Sequence, residues 1–269
     1  MPAGYAHKKF GAHVFQSLDA DTRGLIRRHL PYYLIGLHGP DILFFYYPEA
    51  NGSLAAYARI LHHSPFGEFL THAKAVLKRQ PDDEKLVYLY GVLCHLYLDA
   101  FCHPYVEQAA EKYGVTHGKL EMELERYLLE QDGWNPLTFP TTAHIGISRQ
   151  YAHHIAPFYE GVSERQIVRC LLGYRLVSTA TRRSDPLSRK AVCGLMSALG
   201  WEHKVASVVM SKQPSSLCRP AVKELVRLFT AAQEPAREAV AQLSRTLFAE
   251  EPPEYAAYTF YGTDTRWEL

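Results

Sequence analysis

The chain has 269 residues, enough to bury a full core as one large domain or two small ones. Hydrophobic residues make up 47% and charged residues 21%, a balance that excludes a disordered chain. Twenty-nine basic against 28 acidic residues leave a net charge of +1, so no global field is available to hold nucleic acid or an anionic membrane.

The opening segment, MPAGYAHKKF, lacks the basic-then-apolar run of a secretory leader. No window approaches the uninterrupted apolar length of a transmembrane segment, and the expected location is cytoplasmic. His7 and His13 are six residues apart and do not share a helix face closely. Asp41 follows Gly39-Pro40 and precedes a strongly apolar run, where a carboxylate either caps a helix or faces a cation. Phe44, Phe45, Tyr46 and Tyr47 come next, as core residues or as the lining of a substrate pocket. His62 and His63 stand in tandem, about 100° apart if helical, so only one can face a given site. Phe66, Phe69, Leu70 and Ala73 to Leu77 recur at helical intervals.

Tyr88 to Val106, YLYGVLCHLYLDAFCHPYV, is the most informative stretch. His95, Asp99 and His103 recur every four residues in an otherwise apolar helix, and each step offsets neighbours by only ~40°, so all three project from one side. An ionised aspartate there is costly without a counter-charge, which a bound cation would supply. Two buried histidines hydrogen-bonded to the aspartate satisfy the same spacing with no metal. Pro104 disfavours helical geometry at His103, so the helix is expected to end or bend there. His117 and Glu121 repeat the four-residue step on a second helix, giving donors that zinc accepts. With Glu123 and Glu125 nearby, the same segment also reads as a solvated face.

Breakers at Pro48 to Gly52, Gln80 to Asp83, Gly133 to Pro140 and Ser184 to Pro186 divide the remainder into helices of ordinary length. Glu164 to Thr181 and Arg219 to Phe248 read as amphipathic, with Leu217, Val222, Leu225, Leu228 and Phe229 at helical intervals. The expected fold is an all-α multi-helix bundle forming a single domain over residues 1–269, its ligands within about residues 1–125. From Glu250 onward, prolines and aromatics suggest a tail packed irregularly across the surface. Five cysteines, an odd number without a CxxC pair, are expected to be buried, reduced thiols. Arg27-Arg28 and Arg182-Arg183 are too short to form a nucleic-acid groove and read as solvated faces.

In order along the chain, His7, Gly-x-x-Gly-Pro-Asp at 36–41, Leu61-His62, Gly-x-x-x-His-x-x-x-Asp-x-x-x-His-Pro at 91–104 and His117-x-x-x-Glu121 resemble the zinc-dependent phospholipase C family, whose helical fold is shared with single-strand-specific nucleases. The likeness covers about the first 125 residues. It implies a cluster of up to three zinc ions, other transition metals being possible. One ion would take Asp41, His62, His95 and Asp99, a second His103, His117 and Glu121, and a third His7 with Asp99 as bridging carboxylate. Secreted members use the amino group of an N-terminal tryptophan as a ligand, whereas here His7 follows the lead MPAGYA. The four-residue gap between Asp99 and His103 is closer to intracellular bacterial relatives.

Such a cluster suits hydrolysis of phosphate esters, because the cations polarise phosphoryl oxygens, offset charge on the leaving oxygen and acidify water. Asp41 and Asp99 are the candidate catalytic residues, Asp41 as a base and Asp99 as the bridge. The expected partner is a small-molecule or lipid phosphate ester, and the oligomeric state is not legible. A single-strand nuclease and a non-catalytic, metal-stabilised binding protein remain alternatives. A helical HD-type phosphohydrolase would need an adjacent His-Asp pair, and the chain has none.

Overall fold

The computed structural model describes residues 4–46, 52–181 and 209–262, together with residues 190, 191 and 194. Among them are eleven α-helices and no strand, the all-α architecture that the periodicity predicts. Helices α1 (Gly4–Ser17), α2 (Ala20–Arg28) and α3 (Leu30–Gly36) lead into a 3-10 turn at Gly39–Phe45, followed by α4 (Ser53–His63), α5 (Phe66–Arg79) and α6 (Asp83–Tyr113). Next come α7 (His117–Gln131), α8 (Arg149–Ile155), α9 (Glu164–Thr181), α10 (Arg219–Ala231) and α11 (Gln233–Thr246), with a last 3-10 turn at Glu254–Ala257. Tyr47, Cys193, Arg182-Arg183 and the Ser184 to Pro186 breaker lie outside the described residues.

Local chemistry sets many of the boundaries. Asp19, Asp82, Thr116 and Ser148 accept from backbone N–H groups in the first turns of α2, α6, α7 and α8, satisfying donors with no partner inside the helix. Gly114, at φ +61°, closes α6 in the left-handed conformation that favours glycine. Cys94, Cys102, Cys170 and Cys218 are buried free thiols, as expected.

α6 is the axis of the bundle. Every residue from Val87 to Ala100 is buried, and α1, α3, α7, α10 and α11 pack around it. Contrary to the sequence expectation, this helix is long and apolar enough to cross a membrane, but 89% of its most apolar stretch is buried inside the protein. A helix wrapped on all sides by other helices needs the same composition as one wrapped by lipid.

The contact between α3 and α6 is made by two glycines. A methyl group on Gly91 would lie 2.3 Å from the Tyr33 carbonyl oxygen and 2.7 Å from the Gly36 carbonyl carbon, and one on Gly36 would lie 2.2 Å from the Tyr88 oxygen. These are the leading glycines of the two motifs that carry Asp41 and His95, so they bring the two backbones together just ahead of both residues.

Several expectations need correction. Pro104 does not end the helix, which continues to Tyr113. Packing on several sides offsets the ~3 kcal/mol that an internal proline costs. Leu217 precedes α10 and is 62% exposed, so it is not part of the apolar face. Arg219 to Phe248 is two helices, divided at Ala232. The aromatic run, by contrast, follows its core reading: Phe44 and Phe45 are buried core side chains, with Tyr46 partly buried against the core. The tail is not merely superficial either, since Tyr255 and Phe260 are buried in the main core.

Gly91→Ala should lower stability by about 3 kcal/mol in urea denaturation, the upper end for overpacking, because the added methyl meets backbone. Gly24→Ala, where the nearest atom is an Arg28 guanidinium nitrogen at 3.7 Å, should instead gain up to ~1 kcal/mol from helix propensity. Equal effects at the two sites would show that the close crossing is not required.

Candidate metal centre

The four-residue spacing on α6 does what helix geometry requires. Asp99 is flanked by His95, with Nε2 to Oδ2 at 3.2 Å, and by His103, with Nε2 to Oδ1 at 3.6 Å. α1 brings His7 against the same carboxylate at 3.3 Å, its ring stacked on His95 at 4.2 Å between centroids. Asp41, in the first turn of the 3-10 segment, meets His62 of α4, Nε2 to Oδ1 at 2.9 Å. From α7, Glu121 Oε1 lies 3.0 Å from His117 Nε2 and 3.3 Å from His103 Nε2.

Three sets of potential ligand atoms result, each with all members within 4.8 Å of one another: His7, His95 and Asp99; Asp41, His62 and His95; and His103, His117 and Glu121. All eight residues singled out in the sequence are therefore brought into one connected region. The partition differs in one respect from that implied by the resemblance: His95 is shared by two sets, and Asp99 groups with His7 and His95. His63 is exposed and stacks on Tyr261 with centroids 4.4 Å apart, so of the tandem pair only His62 joins.

The hydrogen bonds behind the histidines decide whether a cation fits. His62 Nδ1 donates to the Ala58 carbonyl at 2.6 Å, His95 Nδ1 to Leu37 at 3.1 Å and His103 Nδ1 to Phe260 at 2.6 Å. A carbonyl only accepts, so in each neutral ring the proton sits on Nδ1 and the Nε2 lone pair faces a carboxylate oxygen. Two lone pairs so opposed require positive charge between them. Two ligands about 2.0–2.2 Å from one tetrahedral zinc stand ~3.3 Å apart, and the His–carboxylate separations here run from 2.9 to 3.6 Å. His95 Nε2 and Asp99 Oδ2 lack hydrogen-bond alignment despite their proximity, and His7 Nδ1 is buried without a hydrogen-bond partner. The donor set fits a metal.

Burial alone would raise the Asp99 carboxyl, yet His103, His95 and His7 reverse that and hold it well below the usual carboxylate range. Burial, then repulsion from His95, lowers His7. Burial also works against protonation of His117, but Glu121, assisted by Glu107, pushes it up to about 9.

Several supporting residues escaped sequence reasoning. Gly39, at φ +37°, lies where a methyl would be 3.0 Å from the His95 ring, so the chain can pass beneath the imidazole. His38 and His144 face one another, Nε2 to Nε2 at 2.8 Å, with Tyr174 Oη 3.1 Å from His38 Nδ1. This network sits edge-on to His7. Burial holds both histidines low, His144 down to about 3, so they stay neutral. Glu123 and Glu125, which suggested a solvated face, are 4% and 0% exposed. Glu125 Oε1 accepts from Tyr5 N at 2.8 Å, anchoring the N-terminal turn of the helix that carries His7. Gly39 stood in the Gly-x-x-Gly-Pro-Asp motif and the two glutamates beside Glu121, but their roles were not legible there; for His38 the one signal was its proximity to Asp41, and for His144 and Tyr174 there was none.

The C-terminal tail closes the region. Thr259 and Gly262 exchange backbone hydrogen bonds across a tight turn, and Phe260 N donates to the His62 carbonyl at 3.2 Å. The Phe260 ring packs 4.9 Å from His62 and 5.3 Å from His95. A methyl group on Gly262 would lie 3.1 Å from Pro104 Cγ, so the tail turn passes close beside this proline.

A family model described as zinc dependent phospholipase C matches residues 6–169. The chain belongs to the zinc-dependent phospholipase C family. No curated protein and no solved structure matches it. The family match runs from α1 into α9 and includes His144 but not the tail.

Metal and protons compete for the same nitrogens. In chelated protein, the His117–Glu121 pair stabilises the fold fully below the ordinary histidine value of 6.5, and its contribution is lost as pH rises through about 9. Zinc requires the unprotonated ring and acts in the opposite sense. The difference in Tm between zinc-loaded and chelated protein should therefore widen from pH 6.5 to 9, and the widening should shrink in His117→Gln. A difference that narrows across that range would remove His117 from the ligand set.

Proposed function

We propose that the protein is a metal-dependent phosphoric ester hydrolase of phospholipase C type that uses up to three zinc ions. The supporting observation is the connected set of histidine lone pairs and carboxylates, with His95 common to two ligand groups. This exceeds what one closed, four-coordinate structural zinc requires. The family match supports the same reading.

Zinc held there supplies Lewis acidity, polarising phosphoryl oxygens and acidifying water. The chain's own residues do the rest. Asp41 accepts the proton of the attacking water. Asp99, which meets His7 and His95 on one side and His103 on the other, would be a shared carboxylate ligand to the metal. The Leu37, Ala58 and Phe260 carbonyls fix the tautomers of His95, His62 and His103, so each ring presents Nε2 without rearrangement. The apolar shell of α6 excludes bulk water and strengthens each electrostatic interaction inside. A small-molecule or lipid phosphate ester is the proposed substrate.

A second reading, metal that only stabilises the fold, draws support from burial, because every proposed ligand except His117 is at most 5% exposed. Asp99→Asn separates the two. It keeps the side-chain shape but removes the negative charge, so zinc content by elemental analysis and hydrolysis of bis-p-nitrophenyl phosphate should fall together, the rate by ~100-fold or more. Zinc-replete wild-type protein that hydrolyses neither phosphodiesters nor phosphomonoesters, with Asp99→Asn altering only Tm, would establish the structural reading instead.

A further inference from the structure

Among the described residues, seven of the eight candidate ligands are at most 5% exposed. The exception is His117, whose side chain is 24% exposed. A ligand from solvent can reach the group at His117, and Tyr261 of the tail stands beside it. The Tyr261 ring lies 5.1 Å from His103 and 6.4 Å from His117 between centroids, and it stacks nearly parallel on His63 at 4.4 Å. Its phenol is near enough to Asp41, Asp99, Glu107 and Glu121 for their charges to act on it.

The ring's place is fixed from several directions. Thr259 and Gly262 close the turn that presents it, Phe260 N is bonded to the His62 carbonyl, and the Phe260 carbonyl takes the proton of His103 Nδ1. Tyr261 is thus held in register with the Asp41/His62 pair and with the His103/His117/Glu121 group. It also lies well beyond the family match, which stops at residue 169.

We propose that Tyr261 donates a hydrogen bond from its hydroxyl to a phosphoryl oxygen of the substrate at the metal centre, which makes it a catalytic residue of the hydrolysis. The inference rests on the hydrolase reading. A phosphoryl group presents several oxygens, and a neutral donor beside the histidine ligands would meet one of them without adding a charge. The carboxylates around the opening can accept but not donate when ionised, so the phenol supplies what they cannot.

Tyr261→Phe keeps the stack on His63 and removes only the hydroxyl. The zinc-loaded variant should retain wild-type zinc content and Tm, bind inorganic phosphate about tenfold more weakly by calorimetry, and show a kcat on bis-p-nitrophenyl phosphate reduced by about 10²-fold. Tyr261→Ala, tested alongside, should lose at least as much phosphate affinity. Phosphate binding by Tyr261→Phe equal to that of the wild type overturns the proposal, as does a zinc-loaded wild type that binds no phosphate. If the wild type binds phosphate, the variant binds it more weakly and neither hydrolyses an ester, the phosphoryl contact stands and the hydrolase reading fails.

Discussion

Asp99 lies in the stretch of α6 that is buried on every face, where an ionised carboxylate has no bulk water to solvate it. Leaving it unmatched would cost several kcal/mol, more than a marginally stable fold can spare. Much of the architecture answers that demand. His95 and His103 come from the same helix one turn to either side, and α1 supplies His7. The 3-10 turn and α4 add a second carboxylate–imidazole pair beside His95, while α7 adds a third beside His103. A bundle that buried only apolar side chains along this axis could dispense with most of these contacts.

Charge alone does not aim the side chains. The Gly36–Gly91 crossing sets the separation of α3 and α6, which in turn places the Leu37 carbonyl against His95 Nδ1. The same backbone continues through Gly39 beneath the ring and reaches Asp41 two residues later. Glu125 acts in a comparable way from α7, gripping the first turn of α1 and hence the helix that carries His7. Orientation thus comes in large part from backbone carbonyls fixed by the fold, which makes the tautomers of His62, His95 and His103 a property of the fold.

Much of this was legible in the sequence because the helix period is strict. Three ligands at four-residue steps must share a face, and an aspartate among leucines signals a charge in need of a partner. Helical residues that diverge by about 100° allowed only one of His62 and His63 to face the site, and the resemblance at Leu61-His62 pointed to the first. The hidden parts were brought together by tertiary structure. His38 and His144 are 106 residues apart and His103 and Phe260 are 157 apart, and no local pattern links either pair. Pro104 misled because its rule is local, whereas the helix continues through it under tertiary packing that includes the turn at Gly262 from the far end of the chain. Glu123 and Glu125 misled because polar composition implies solvent, yet Lys119, Ser215 and the Tyr5 amide replace water around them.

The Phe260 carbonyl that orients His103 has a consequence for biosynthesis. With 157 residues between the two, and translation at about 5–20 residues per second, the ribosome needs ~10–30 s to pass from one to the other. Throughout that interval the nascent chain displays α6 with its aspartate and histidines but without the residue that closes them. Metal captured early would be held by an unfinished shell open to exchange, whereas metal captured after release is enclosed. The turn at 259–262 would therefore be the last element to close around any metal held by the earlier residues.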